Sequence, residues 1–210
     1  MHKRVAARAR RDYHHGDLRT ALLDTVGVIL REQGPAFVSV REVARRARVS
    51  HAAPAHHFRN KSGLLTAFAA QGFDRLADTI AETIAASGAS TPPTVLAAMG
   101  RAYVRFAVEN PEHFAIMFRT ELLDSSDAEL TRASDRAYDG LVSTTRAAAA
   151  GGYTTLEPQL AASAAWALVH GLSTLWLSGR LQARTGDTDP HALADTMTRM
   201  FVTSIMGERA

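Results

Sequence analysis

Ser39-Val40-Arg41-Glu42-Val43-Ala44-Arg45-Arg46-Ala47-Arg48-Val49-Ser50-His51-Ala52-Ala53-Pro54-Ala55-His56-His57-Phe58-Arg59-Asn60-Lys61 reads as two very short helices joined by a tight turn. Ser39 and Glu42 have capping-box spacing, which predicts a helix start at Ser39. Val40, Val43, Ala44 and Ala47 then recur with a helical period. Arg48-Val49 make the turn, and Ser50 is a second N-cap that opens a helix through Phe58. Ala44, Ala47, Ala52 and Ala53 are small enough for the two helices to cross closely. A short, cationic, small-residue helix pair has the build of a helix-turn-helix that enters a DNA groove.

The distribution of charge supports that reading. The whole chain of 210 residues carries a formal net charge of only +3. Residues 1–62, however, hold 13 Lys and Arg against 5 Asp and Glu, a net of +8, whereas residues 63–210 hold 11 against 16, a net of −5. One end of the chain is suited to a polyanion and the rest is not. A solvated tail accounts for Lys3, Arg4, Arg8, Arg10 and Arg11, which equally suit a minor groove. It does not account for Arg41, Arg45, Arg46, Arg48, Arg59 and Lys61. Cysteine is absent, which removes disulfides, thiolate metal sites and a Cys nucleophile, and fits a reducing, cytoplasmic compartment.

No strand pattern appears, and the chain divides into about nine helices. The first is expected over Asp17–Gln33, with Leu18, Leu22, Val26 and Ile29 on one stripe and Gly34-Pro35 as its stop. The helix-turn-helix pair follows, and Asn60 caps a fourth helix reaching about Ala86. A fifth ends at Asn110, and Pro111 begins a short sixth. The seventh covers about 127–149, before Gly151-Gly152. The eighth runs from about Glu157 to about Leu181 and the last begins at Asp189-Pro190, an N-cap followed by Pro at the first helical position. Leu160–Leu177 is nearly apolar and about the minimum length for a membrane span. Its Ser163, His170, Gly171, Ser173 and Thr174, and the lack of a second such segment, favour a buried helix and no membrane partner. Apolar residues occupy two faces of this helix, which points to burial against a second copy of the chain.

These residues resemble the TetR family of bacterial one-component regulators, over the whole chain. Tyr13-His14-His15-Gly16-Asp17-Leu18-Arg19, Val43-Ala44, Val49-Ser50, Pro54 and His57-Phe58-Arg59-Asn60-Lys61 follow the family pattern. Trp166, His170 and Gly171 are similar to a Trp-x-x-x-His-Gly subgroup signature, and Asn110-Pro111-Glu112-His113-Phe114 to its junction between helices 5 and 6. The resemblance implies an all-α, Ω-shaped homodimer. It implies a DNA-binding domain over 1–62 and a ligand-binding and dimerisation domain over 63–210. Two positions depart from the pattern: Arg48 stands where the family usually has Gly, and Ala55 where it often has a phosphate-contacting Tyr.

The expected DNA-binding residues are Arg41, Arg45, Ser50, His51, Ala52, Ala53, His56, His57 and Lys61. Those of the recognition helix face base edges, and Arg41, Arg45, His57 and Lys61 face phosphates. Tyr103, Phe106, Phe114, Met117, Phe118, Trp166 and Trp176 are large and adaptable, as a pocket for an apolar or weakly polar small molecule requires. Leu168, His170, Leu172, Leu175, Met197, Met200 and Phe201 are the expected dimer interface. His14-His15 and His51 with His56-His57 lack carboxylate or Cys companions, so no metal and no cofactor is expected. No nucleophile elbow, His-Glu-x-x-His or phosphate loop occurs, so no catalytic residue is expected. The leading reading is a ligand-responsive transcriptional regulator, most simply a repressor on a palindromic operator. The alternatives are a non-regulatory DNA-architectural protein and a small-molecule-binding helical bundle.

Overall fold

The computed structural model describes residues 2–50, 52–186 and 189–206, with the backbone alone at residues 2–17 and 185. Ten α-helices and two 3-10 turns make up the described chain: α1 (His2–Gln33), a turn at Pro35–Phe37, α2 (Val40–Arg46), α3 (Ala52–Phe58), α4 (Lys61–Ser87), α5 (Pro92–Glu109), α6 (Pro111–Met117), a turn at Thr120–Leu122, α7 (Ala128–Ala150), α8 (Pro158–Leu177), α9 (Gln182–Thr185) and α10 (Pro190–Ile205). Among the described residues there is no strand. Two elements differ from expectation. The backbone of α1 begins at His2 rather than at Asp17, because Ala and Arg are strong helix formers and Gly16 alone does not stop a helix. The eighth helix stops at Leu177, where Gly179 turns left-handed (φ 72°), and the remainder forms the separate α9.

The chain packs as two compact units, residues 1–71 with 115–131 and residues 72–114 with 132–210. This division by packing differs from the division by charge at residue 62, because the first turns of α4 and the 115–131 segment pack with the helix-turn-helix.

In the first unit, Leu22, Leu23, Val26 and Ile29 of α1 are completely or almost completely buried, as are Val38, Val43, Leu64, Leu65 and Phe68. The start of α4 is sharply specified. Arg59 takes a left-handed backbone (φ 62°), the Asn60 side chain accepts the Gly63 N–H at 2.9 Å, and the Asn60 carbonyl accepts the Leu64 N–H at 3.1 Å. A Cβ on Gly63 would stand 2.0 Å from the Phe58 carbonyl oxygen. Only glycine lets α4 begin this close to the end of α3. The 122–124 turn is tied to α4 by the Asp124 N–H, which donates to the buried Thr66 hydroxyl at 2.9 Å.

In the second unit, α5 packs on α8 and α10, and α8 packs on α10. Leu96, Ala97, Ala148, Ala165, Val202 and Met206 form a buried core, against which Leu141, Tyr153, Phe201 and Ile205 pack. The cap read at Asp189 is present, accepting the His191 N–H at 2.8 Å ahead of α10, and Glu157 caps α8 by accepting the Leu160 N–H at 2.8 Å. At Gly100 a Cβ would fall 2.4 Å from the Thr198 methyl, so glycine sets how closely α5 and α10 approach. The inner face of α8 carries the buried Ala161, Ala162, Ala165, Val169, Leu172 and Ser173. This helix, the one among the described residues long and apolar enough to cross a membrane, is a packed element of the bundle.

Gly63→Ala is expected to lower stability by about 1–3 kcal/mol, because backbone rather than a flexible side chain must yield. The urea midpoint of the variant measures this.

Candidate functional site

The helix-turn-helix is closed by a specific hydrogen-bond pattern. The Val49 N–H donates to the Ala44 carbonyl at 3.1 Å and the Arg48 N–H to the Arg45 carbonyl at 3.3 Å. Residue 48 is left-handed, with φ 55°. This is the Schellman arrangement, which satisfies the free carbonyls at the end of α2 and redirects the chain into α3. An L-residue other than Gly costs about 1 kcal/mol or more in this conformation. The cost anticipated for Arg48 is therefore incurred. Pro54 and Phe58 anchor α3 by burial, which leaves Ala52, Ala55 and His56 exposed and Ala53 and His57 half-buried. Ser50 is exposed, and its carbonyl accepts the Ala53 N–H at 3.0 Å. His51 lies outside the described residues, as do the side chains of Lys3, Arg4, Arg8, Arg10 and Arg11.

The cations around this motif are not equivalent. Ser39 caps α2, accepting the Glu42 N–H at 3.1 Å. The Glu42 carboxylate engages arginines: it accepts from Arg45 at 2.8 and 2.6 Å and from Arg46 at 2.7 Å. Hydrogen bonds from these two guanidiniums hold its pKa down to about 2. Arg46 also pairs with Glu32 and donates to Gln33 at 3.0 Å. Lys61 donates to the Ala36 carbonyl at 3.2 Å. Arg41 and Arg48 are exposed and make no side-chain hydrogen bond or ion pair among the described residues. A cleft of about 470 Å³ in the same unit is lined by Arg19, His57, Arg59, Asn60, Asp124 and Glu129 among others. Arg19 pairs with Glu129 at 2.8 Å and lies 5.6 Å from the Phe58 ring centre. Neither sign of charge prevails there.

In the second unit a polar aromatic cluster joins α5, α6, α7 and α8. The Tyr103 hydroxyl and His170 Nδ1 are hydrogen-bonded at 2.9 Å, and Trp166 Nε1 donates to the same hydroxyl at 3.3 Å. The His170 ring lies 5.2 Å from Phe114, and Trp166 lies 5.8 Å from Tyr138. Burial raises the Tyr103 pKa and lowers that of His170, so both are neutral hydrogen-bonding groups at neutral pH. His113, on α6, is 7 % exposed. Burial first, and the Arg75 charge second, push its pKa down to about 4.

The pattern of bacterial regulatory proteins of the tetR family matches residues 28–68, and that of the tetracyclin repressor-like C-terminal domain matches residues 96–201. The chain belongs to the TetR family. A protein of unknown function from Rhodococcus sp. RHA1 is 30 % identical, with a TM-score of 0.78 over 92 % of this chain and 98 % of that one. A bacterial regulatory protein of the tetR family from Rhodococcus RHA1 shares the fold at 17 % identity, with a TM-score of 0.71 over 90 % and 97 % of the two chains. The fatty acid degradation regulator FadR of Bacillus halodurans does so at 16 % identity, with a TM-score of 0.70 over 88 % and 94 %. No curated protein is significantly similar in sequence. This TetR-family protein is a ligand-responsive, DNA-binding transcriptional regulator. Regulators of the family bind DNA, dimerise and bind small-molecule effectors, and are not, in general, enzymes.

Three groupings read from the sequence of this regulator are rearranged. Arg45, chosen as a phosphate contact, is held by the carboxylate one helical turn away. Of the seven pocket residues, Tyr103, Phe114 and Trp166 share the aromatic cluster. Phe106 is fully buried as core, Trp176 is half-buried, and Met117 and Phe118 belong to the other compact unit. Of the seven interface residues, Leu172 is buried inside the subunit, Phe201 packs on its core, and His170 bonds to Tyr103. Leu172 and His170 face inward because α8 turns that side toward α5, and Phe201 reaches the same core from α10. Leu168 and Met197 are half-buried, while Leu175 and Met200 are 45 % and 68 % exposed. Assigned to no site from the sequence were Tyr138, Gln159 (which donates to the Tyr138 hydroxyl at 2.9 Å), and the outward stripe of α8, Leu160, Ser163, Ala167, Gly171 and Thr174. The i, i+3, i+4 spacing of small residues was the available signal for that stripe.

Unfolding restores His113 to an ordinary imidazole, so the unfolded chain takes up a proton between about pH 6.5 and 4 that the folded chain refuses. Stability should therefore fall as pH drops through that window. The difference between urea midpoints at pH 7 and pH 5 should be smaller in His113→Gln than in the wild type.

Proposed function

We propose that this regulator is a cytoplasmic homodimeric repressor that grips a palindromic operator through residues 1–62 and is released by a small effector bound within residues 63–210. The observation that carries the DNA role is the exposed outer face of α3, held by a closed turn on one side and by the Asn60-capped start of α4 on the other. Ala52, Ala53 and His56 of that face, with Ser50 and His51 at its entry, read base edges; Arg41, His57 and Lys61 meet phosphates. Methyl groups of the alanines match thymine methyls, and His56 donates to guanine or phosphate. Arg45 joins the phosphate contacts only by leaving Glu42.

The effector is apolar or weakly polar. The neutral Tyr103–His170–Trp166 hydrogen-bond set, flanked by Phe114 and Tyr138, favours an apolar or aromatic body with a single hydrogen-bonding group over a multiply charged one. The dimer forms through the outer faces of α8 and α10, where Leu160, Ala167, Leu175 and Met200 are exposed in the subunit. Gly171 and Thr174 on the same stripe permit close helix approach, as in a four-helix bundle about a dyad.

The decisive experiment is selection of the operator from random duplex DNA. With about four cationic contacts per half-site, operator affinity should fall with salt at a log–log slope of about −7; a slope near zero overturns phosphate gripping as the source of affinity. Met200→Glu should leave the subunit folded, since residue 200 is exposed in it, yet convert the dimer to monomer in sedimentation by placing like charges across the seam. A wild-type monomer at micromolar concentration overturns the dimer.

A further inference from the structure

We infer that Arg48, in the turn itself, is a phosphate-gripping residue of the DNA-binding unit. Among the described residues the same Schellman turn closes two other helix ends. At the end of α7 the Tyr153 N–H donates to the Ala148 carbonyl at 2.9 Å and the Gly152 N–H to the Ala149 carbonyl at 3.1 Å. At the end of α8 the Arg180 N–H donates to the Leu175 carbonyl at 3.1 Å and the Gly179 N–H to the Trp176 carbonyl at 2.9 Å. The left-handed residue is glycine in both, with φ 72°. In the helix-turn-helix arginine occupies that place instead, with φ 55°. A backbone state unfavourable to a side chain is kept where the side chain does something glycine cannot.

What the guanidinium does follows from its surroundings. Arg45 and Arg46, its neighbours along α2, are neutralised by Glu42 and Glu32. Arg59, the other non-glycine residue with positive φ among those described, faces the charge of Asp124. Arg48 is exposed and has no side-chain partner among the described residues. It stands two positions before Ser50, where the chain enters the recognition helix. The exposed face of that helix offers at residue 55 only a methyl group. An unpaired, five-donor planar cation at the lip of a base-reading helix matches a phosphate oxygen pair of duplex DNA. This assignment rests on the DNA-binding role.

The test sets stability against affinity. Arg48→Gly relieves the backbone, so its thermal midpoint should rise by roughly 2–4 °C. Its binding to a random-sequence duplex, followed by fluorescence anisotropy across a salt series, should weaken. The log–log salt slope should flatten by about 2 per dimer, one phosphate contact per subunit. Arg48→Lys keeps the charge and should keep the slope. An Arg48→Gly slope equal to that of the wild type overturns the assignment, even if its affinity falls, since a looser turn alone changes affinity without changing ion release. Equal flattening in Arg48→Lys overturns it as well. Absence of wild-type binding at low salt overturns the DNA-binding role itself and this assignment with it.

Discussion

The path of the chain from α2 into α3 exists only because the backbone at residue 48 is left-handed. With φ at 55°, the Arg48 and Val49 N–H groups reach back to Arg45 and Ala44. The carbonyls at the end of α2 are satisfied, and the chain leaves in the direction α3 needs. A second left-handed residue, Arg59, ends α3 and delivers Asn60 to cap α4. The recognition helix is one of seven residues, too short to be stable by itself. Its placement comes from these two reversals, from the buried Pro54 and Phe58, and from the close approach that Gly63 permits.

Electrostatics then sorts the cations that composition places together. Residues 1–62 carry a net charge of +8, but the charge on α2 is largely internal. Glu42 binds Arg45 and Arg46, and Glu32 at the end of α1 shares Arg46. These pairs are partly or fully exposed, so they contribute little to stability. Their effect is on availability: a guanidinium already bonded twice to a carboxylate must exchange those bonds to reach a phosphate. Arg41 and Arg48 face no such exchange.

The second unit follows a different packing logic. Its helices approach through small residues: Gly100 against Thr198 on α5 and α10, and alanines along the inner face of α8. Larger polar aromatics fill the space that remains, and the Tyr103 hydroxyl hydrogen-bonds with the His170 imidazole and the Trp166 indole. A partly buried cluster joined by such hydrogen bonds favours one arrangement. It also holds, near at hand, hydrogen-bonding groups with which a small molecule can compete. Small residues recur on the outer face of α8, which is what a helix requires if a symmetry-related copy is to approach closely.

The local features of this protein were legible in its sequence. The caps at Ser39, Asn60 and Asp189, the breaks at Gly34-Pro35, Asn110-Pro111 and Gly151-Gly152, and the turn at Arg48 depend on residues within about five positions of one another. The helix-turn-helix could be placed for the same reason. The facing of helices and the pairing of charges could not. Whether Leu172 meets its own α5 or a second copy depends on the rotation of α8 about its axis, which contacts with residues far along the chain decide. Whether Glu42 reaches back to its cap or forward to Arg45 and Arg46 depends on side-chain geometry that spacing leaves open. Tyr103 and Trp166 were assigned to a pocket and His170 to the dimer interface, since spacing says nothing of contacts between residues 63 and 67 positions apart. Only the packing of α5 against α8 makes them one hydrogen-bonded group.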